Sequence, residues 1–142
     1  MPYTALILAA GYGNRMKPLT INKHKSLIEV AGETILAKII DSLIDYNVKN
    51  FCIVTGYRSD DIVKFVSKKY DSINVKYVNN NDFYKTNNIY SVSLALNQLK
   101  TDDDILLIES DLIFKKEVLG SLFNSKYKNA ALVSKYVQGM DG

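Results

Sequence analysis

The chain has a single cysteine, a single histidine and no long apolar run. Cys52 has no partner for an internal disulfide, so a disulfide scaffold is excluded and a reducing cytoplasm fits. No segment approaches the roughly 18 uninterrupted apolar residues of a membrane span, so no membrane association is expected. The opening "MPYTALILAAGYG" lacks a basic lead, and no signal peptide is read there. One histidine, with no serine or cysteine set beside a base, leaves no material for an activated nucleophile. Repeats, low-complexity tracts and linkers are missing too. The 142 residues make one domain with room for a sizeable core.

What is present is an ordinary globular composition, 47% apolar and 23% charged. The net charge of +3 is too small to argue for nucleic acid, and no nucleic-acid partner is expected. The distribution of charge says more. Arg15, Lys17, Lys23, His24 and Lys25 cluster with no acid before Glu29. Such a loop is either a solvated surface or an anion site, and the neighbouring Gly11 and Gly13 favour the anion site.

Strand-like and helix-like segments alternate. Tyr3 to Ala9 reads as a buried strand, and Glu33 to Tyr46 has the apolar period of an amphipathic helix. "FCIV", Phe51 to Val54, reads as a second buried strand. Ser59 can cap a helix whose first turn carries Asp60 and Asp61. Ile73 to Val78 alternates as a more exposed strand, and Asn88 can cap a helix through Leu99. "ILLI", Ile105 to Ile108, is the most apolar strand and is expected at the sheet centre. A short helix over Lys115 to Asn124 and a last strand over Ala130 to Tyr136 complete the pattern. The alternation predicts an α/β fold, a mostly parallel sheet with helices on both faces. Ligands of such sheets sit beyond the carboxyl ends of the strands, which singles out the loops after Ala9, Val54, Val78 and Ile108.

The first of these loops has two glycines but is not a dinucleotide fingerprint. The third glycine position is Met16, Pro18 disfavours helix before it, and the next helical pattern begins only near Glu33. The P-loop pattern is absent as well. A long, glycine-bearing, basic loop remains. Its backbone N–H groups can meet phosphate oxygens, Arg15 can grip phosphate through several donors, and Lys25 adds a compact charge. The loop "NNNDFYKTNNIYS", Asn79 to Ser91, supplies amide donors and acceptors, as reading a base or ribose requires, although asparagines also build plain turns. Asp111, just past the most apolar strand, faces the same crevice. It can hold Mg²⁺ with substrate phosphates or cap the next helix, with Glu109 as second candidate and the alternation turning it elsewhere. Asp102 to Asp104 reads as a solvated turn at the other strand end. His24 reads as a solvated neighbour of Lys25, Cys52 as inert core, and Arg58 as a surface or structural residue.

"LAAGYGNRMKPLT", Leu8 to Thr20, followed by Lys25 in "KHKSLIEVAG", resembles the signature of the sugar-phosphate-type nucleotidyltransferases, L-A-A-G-x-G-x-R-(L/M)-x-P-L-T and then a lysine before a leucine and a glycine. These share a Rossmann-like α/β domain. "NNNDFYKTNNIYS" and the closing "MDG" are similar to the CTP:phosphocholine cytidylyltransferase branch, whose members act on small phosphorylated amines, phosphonates and similar head groups.

The resemblance implies that Leu8, Ala9, Ala10, Gly11, Tyr12, Gly13 and Asn14 hold nucleotide. It implies that Arg15 contacts the triphosphate and that Lys25 bridges nucleotide and substrate phosphates. It further implies that Asn80, Thr86, Asn87 and Asn88 read base and ribose, and that Asp111 is the first Mg²⁺ aspartate. CTP and a small phosphorylated or phosphonate acceptor are the expected substrates. Sugar-1-phosphate transfer with another nucleotide, or a non-catalytic scaffold domain, are the alternatives. Family members continue beyond "MDG" with a second metal aspartate and much of the acceptor pocket, so these residues are expected to be the N-terminal part of a longer family domain.

Overall fold

In the computed structural model, residues 2–134 are described. Four parallel strands form the central sheet: β1 (Tyr3–Ala9), β4 (Asn50–Thr55), β5 (Asn74–Asn79) and β6 (Asp104–Glu109), in the order β5-β4-β1-β6. A small antiparallel hairpin, β2 (Glu29–Val30) with β3 (Glu33–Thr34), lies between the first loop and the first helix. Its two-residue turn has Ala31 and Gly32 both at positive φ, 52° and 83°, the backbone that a tight hairpin requires. Four helices follow the strands: α1 (Ile35–Asp45), α2 (Ser59–Lys69), α3 (Asn88–Gln98) and α4 (Glu117–Phe123).

Side-chain alternation along β1 divides the core in two. Ala5, Ile7 and Ala9 point into a large cluster with Ile35, Leu36, Ile39, Ile40 and Leu43 of α1, Ile62 and Val66 of α2, and Leu119 of α4. Leu6 and Leu8 point the other way, toward Cys52, Val54, Val78 and Ala95 of α3. The expected mostly parallel sheet with helices on both faces is therefore present. Cys52 is buried, and burial pushes its thiol up to about 11, which keeps it unreactive.

Several local expectations change. Among the described residues β6 is an edge strand, not the centre. Leu106 and Ile108 are buried, but Ile105 and Leu107 are 38% and 53% exposed. An apolar sequence marks a strand without saying which neighbours cover it, and α3 packs over β1, β4 and β5 rather than β6. The helix expected over Glu33 to Tyr46 begins at Ile35, because Thr34 caps it by accepting from the Ala37 N–H at 3.2 Å. Helix α2 has Arg58 in its cap position, in the left-handed region with φ 51°, so Ser59 is its first residue. Helix α3 is capped by Asn87, whose side chain accepts from the Tyr90 N–H, and Asn88 is its first residue. The last helix is confined to Glu117–Phe123. No strand forms at 130–134, and the remainder of the expected last strand, with "MDG", lies outside the described residues.

Candidate active site

The carboxyl ends of β1, β4, β5 and β6 bring four loops together. The loop after β1 runs from Ala10 to Ile28 and carries two short 3-10 turns, Asn14–Met16 and Lys25–Leu27. Among the described residues, the backbone N–H groups of Ala10, Gly11, Tyr12 and Gly13 donate to no protein acceptor. Four consecutive free donors are unusual, since backbone N–H groups are nearly always paired. Consecutive N–H groups left without protein acceptors are available to an anion.

The glycines in this loop have different reasons. Gly13 sits at φ 66°, and a Cβ there would meet Lys25 Cβ and Thr20 Cγ2, both at 3.1 Å. It is glycine because the loop crosses Lys25 at that point. A Cβ on Gly11 would meet nothing within 4 Å, and its φ lies outside the left-handed region. The fold itself does not demand glycine at position 11.

The loop is held by residues whose roles the sequence did not disclose. Thr20 Oγ1 donates to the Gly13 carbonyl at 2.9 Å. The Tyr57 hydroxyl, from the loop after β4, reaches the carbonyls of Thr20 and Ile21 at 2.9 and 3.0 Å. The Tyr12 ring packs on Tyr57 and Phe83, with centroids 4.7 and 5.0 Å apart. Gly56 permits that packing, because a Cβ there would stand 2.7 Å from Phe83 Cβ and 2.8 Å from the Ala10 carbonyl. The only available signal was position: "TGYR" follows directly on a strand at the ligand end.

His24 is not solvated. It is wholly buried, and its Nδ1 accepts the Ser26 N–H at 3.1 Å and lies 2.8 Å from Ser26 Oγ. Burial, helped by the charge of Lys25, lowers its pKa to about 4, so the ring is neutral near pH 7. The lone histidine among lysines looked solvated because charged neighbours in sequence say nothing about the ring's own direction.

Lys25 and Asp111 meet across the crevice, Nζ to Oδ2 at 2.8 Å. The lysine is mostly buried by side chain and the aspartate about one-third exposed. Asp111 is not a helix cap, since α4 starts only at Glu117. Glu109 is half-buried, and its carboxyl is pushed up by burial and by the Asp111 charge; its Oε1 accepts from Asn88 Nδ2 at 2.7 Å. Among the described residues, no group of three or more His, Cys, Asp or Glu side chains gathers as a complete metal cage. A carboxylate facing an anion-receiving loop fits Mg²⁺ all the same, because this ion takes one or two protein carboxylates and draws its other ligands from phosphates and water.

The remaining expected residues separate. Leu8 and Ala9 lie inside β1 with their side chains in the two cores. Asn14 and Arg15 are exposed in the first 3-10 turn, and no acid pairs with Arg15 among the described residues. Asn80 is buried and works inward: its Nδ2 donates to Thr86 Oγ1 at 2.9 Å and Ser91 Oγ at 3.1 Å, and its Oδ1 accepts the Asp82 N–H at 3.0 Å. Thr86 in turn donates to the Asp82 carbonyl, and Asn87 is the helix cap. Asn87 and Asn88 are both exposed; Asn87 Nδ2 has no partner among the described residues, and Asn88 donates its own to Glu109. Arg58 pairs with Asp61 of its own helix, as a structural residue would. Asp103 is not merely solvated: its carboxylate accepts from Thr4 Oγ1 at 2.6 Å and Asn50 Nδ2 at 3.1 Å, which holds it below the usual range.

Residues 5–141 match the MobA-like NTP transferase domain. The chain is 32% identical to the CMP-5'-(3-aminopropyl)phosphonate synthase of Streptomyces rubellomurinus over all 142 residues, which is 22% of that protein. It is 35% identical to the choline-phosphate cytidylyltransferase of Haemophilus influenzae, over 87% of this chain and 50% of that one. The CTP:phosphocholine cytidylyltransferase structure from Streptococcus pneumoniae superposes with a TM-score of 0.69 at 27% identity, covering 82% of this chain and 48% of that one. The chain thus spans half or less of the length of these relatives. No helix among the described residues is long and apolar enough to cross a membrane.

Proposed function

Because this chain belongs to the MobA-like NTP transferase domain family, we propose that it carries the nucleotide half of a cytidylyltransferase, moving CMP from CTP to a small phosphorylated or phosphonate acceptor with release of pyrophosphate. One observation carries this: the row of free N–H groups from Ala10 to Gly13 faces the same loop cluster as the Lys25–Asp111 pair. The cytidine preference is supported by the activities for which the relatives above are named. The Asn-rich loop supports it less, since Asn80 spends its amide, and Asn87 its amide oxygen, within the protein.

An acceptor phosphate oxygen attacks the α-phosphorus, and the bond from that phosphorus to the bridging oxygen of pyrophosphate breaks. The attacking oxygen is already anionic at neutral pH, so no protein base is required. The protein positions and neutralises. Ala10 to Gly13 and Arg15 hold the triphosphate, and Lys25 offsets charge on the α-phosphate. Asp111 would hold Mg²⁺, which would supply further charge neutralisation.

The test is pyrophosphate release from CTP, UTP, GTP and dTTP with Mg²⁺ and a panel of phosphocholine, phosphoethanolamine, aminophosphonates and sugar 1-phosphates. Release with CTP and a phospho-amine or phosphonate is expected. Preference for another nucleotide with a sugar phosphate would replace this by the sugar-1-phosphate alternative. No release with any pair would favour a non-catalytic scaffold domain.

A further inference from the structure

His24 is a buried side chain at the site whose chemistry the proposed transfer does not use. Its ring is wholly buried and fixed through Nδ1 by Ser26. Nε2 is buried without a hydrogen-bond partner among the described residues. The backbone carbonyls of Ala9 and Gly11 lie near enough to the ring to raise its pKa, although Nε2 meets neither in hydrogen-bond geometry. An imidazole whose Nδ1 accepts an N–H carries its proton on Nε2 when neutral. The chain has thus buried a donor beside two carbonyls of the glycine loop and left it unengaged, which is unfavourable for a buried polar group.

We propose that His24 is the positioning residue of the glycine loop: its Nε2–H closes onto the Ala9 and Gly11 carbonyls when a triphosphate binds and so aims the N–H groups of Ala10 and Tyr12 at it. The reason lies in the peptide unit. A trans peptide places a residue's C=O opposite the next residue's N–H. A donor behind the Ala9 carbonyl therefore turns the Ala10 N–H away from His24, and a donor behind the Gly11 carbonyl does the same for Tyr12. Both N–H groups belong to the free row. A carbonyl that accepts a hydrogen bond also makes its peptide N–H a stronger donor, so the two bonds reinforce each other. His24 touches no reacting atom; it acts through the loop, and its neutrality keeps a second cation from competing with Lys25.

This inference rests on the loop binding a nucleoside triphosphate. His24 is the sole histidine of the sequence, so its ring resonances need no assignment. In ¹⁵N-labelled protein at pH 7.0 (a value chosen near neutrality, where an ordinary imidazole is also mostly deprotonated) the Nε2–H tautomer is expected. Adding CTP and MgCl₂ should move the Hε2 proton downfield and slow its exchange with water. An Nδ1–H tautomer, or an Hε2 signal indifferent to bound CTP, overturns the inference while leaving nucleotide binding intact.

Two variants separate positioning from structure. His24→Asn keeps an acceptor for the Ser26 N–H but loses the Nε2 donor; His24→Gln puts a donor back. The Kd for CTP·Mg²⁺ should rise about tenfold in His24→Asn, the worth of one hydrogen bond, and recover in His24→Gln. Equal affinities in the two, or a loss of melting temperature with affinity unchanged, would make His24 a packing residue. Wild-type protein that binds none of CTP, UTP, GTP or ATP would remove the triphosphate site itself and the inference with it.

Discussion

Lys25 Nζ stands 2.8 Å from Asp111 Oδ2, joining a lysine of the first loop to an aspartate 86 positions later in the chain. The two come from loops that leave neighbouring strands, since β1 pairs with β6. In the proposed transfer, the cation that would offset phosphate charge and the carboxylate that would hold a metal therefore share one edge of the crevice.

Lys25→Ala removes the cation from this edge. Turnover should fall by roughly 10²–10³, whereas stability should change by about 1 kcal/mol or less, because a partly exposed ion pair contributes little. Pyrophosphate release and urea melts measure the two quantities separately. Near-normal turnover would remove Lys25 from the chemistry.

Asp111→Asn keeps the shape and removes the charge. The Mg²⁺ concentration giving half-maximal activity should rise by at least tenfold, with little change in melting temperature. An unaltered Mg²⁺ titration would move the ligand role elsewhere, with Glu109 the next residue to test.

Gly11 and Gly13 should part company. Gly11→Ala is expected to fold as well as the wild type and to bind CTP more weakly, because a methyl there collides with nothing in the protein. Gly13→Ala should lose about 1–2 kcal/mol from left-handed backbone alone, with more from Lys25 and Thr20 against the new methyl. Chemical denaturation and CTP titration of both variants decide it; a destabilised Gly11→Ala would mean that position 11 serves the fold.

Asn80→Ala should cost about 2–3 kcal/mol, since it strands the buried hydroxyl of Ser91 and loosens Thr86 and Asp82. Asn88→Ala should leave stability within about 0.5 kcal/mol, as exposed substitutions do, and change CTP affinity instead. If Asn80→Ala folds normally and loses only affinity, its inward network is not what holds the loop.

Acid should weaken the fold through His24. Its pKa is about 4 in the folded chain against 6.5 for free imidazole, so between those values the unfolded chain binds more protons. Stability is then full above pH 6.5 and is lost as the pH falls toward 4. Near pH 5 the loss is on the order of 2 kcal/mol. Lys25 lowers this pKa and Asp111 raises it. Glu109, held above 4.5, acts in the opposite direction just above that value. Glu33 and Asp103, held below 4.5 and 3.8, add their losses at lower pH. Denaturant midpoints of wild type and His24→Gln from pH 7.5 to 4.5 isolate the histidine: the variant's curve should be flatter, and parallel curves would show that His24 does not titrate below its ordinary value.

The parallel sheet was legible because apolar period and strand length are local properties. Tyr3–Ala9 and the α1 face follow directly from them. The position of β6 was not legible, because "ILLI" has the same composition whether or not a helix covers Ile105 and Leu107. In the site, Lys25 and Asp111 were readable from a motif and from the rule about strand ends. Asn80 and Asn88 were not distinguishable, since an amide's direction depends on backbone geometry beyond its neighbours in sequence. His24 was misjudged for the same reason: what buries it, the turn at Ser26 and the loop after β1, is assembled from segments separated in sequence.

The opposite end of the sheet has its own consequence. Asn74 donates to Asn50, and Asn50 and Thr4 both donate to Asp103, so side chains at the amino ends link β5, β4 and β1 to the residue preceding β6. Parallel strands have no hairpin turn to fix their alignment. This polar seam acts as a baseline from which all four strands are measured, and the loops at the far end start from a common height. Such a frame tolerates change in those loops without losing its alignment, so a new acceptor can be accommodated by altering loop residues while the strands keep Lys25 and Asp111 in reach of each other.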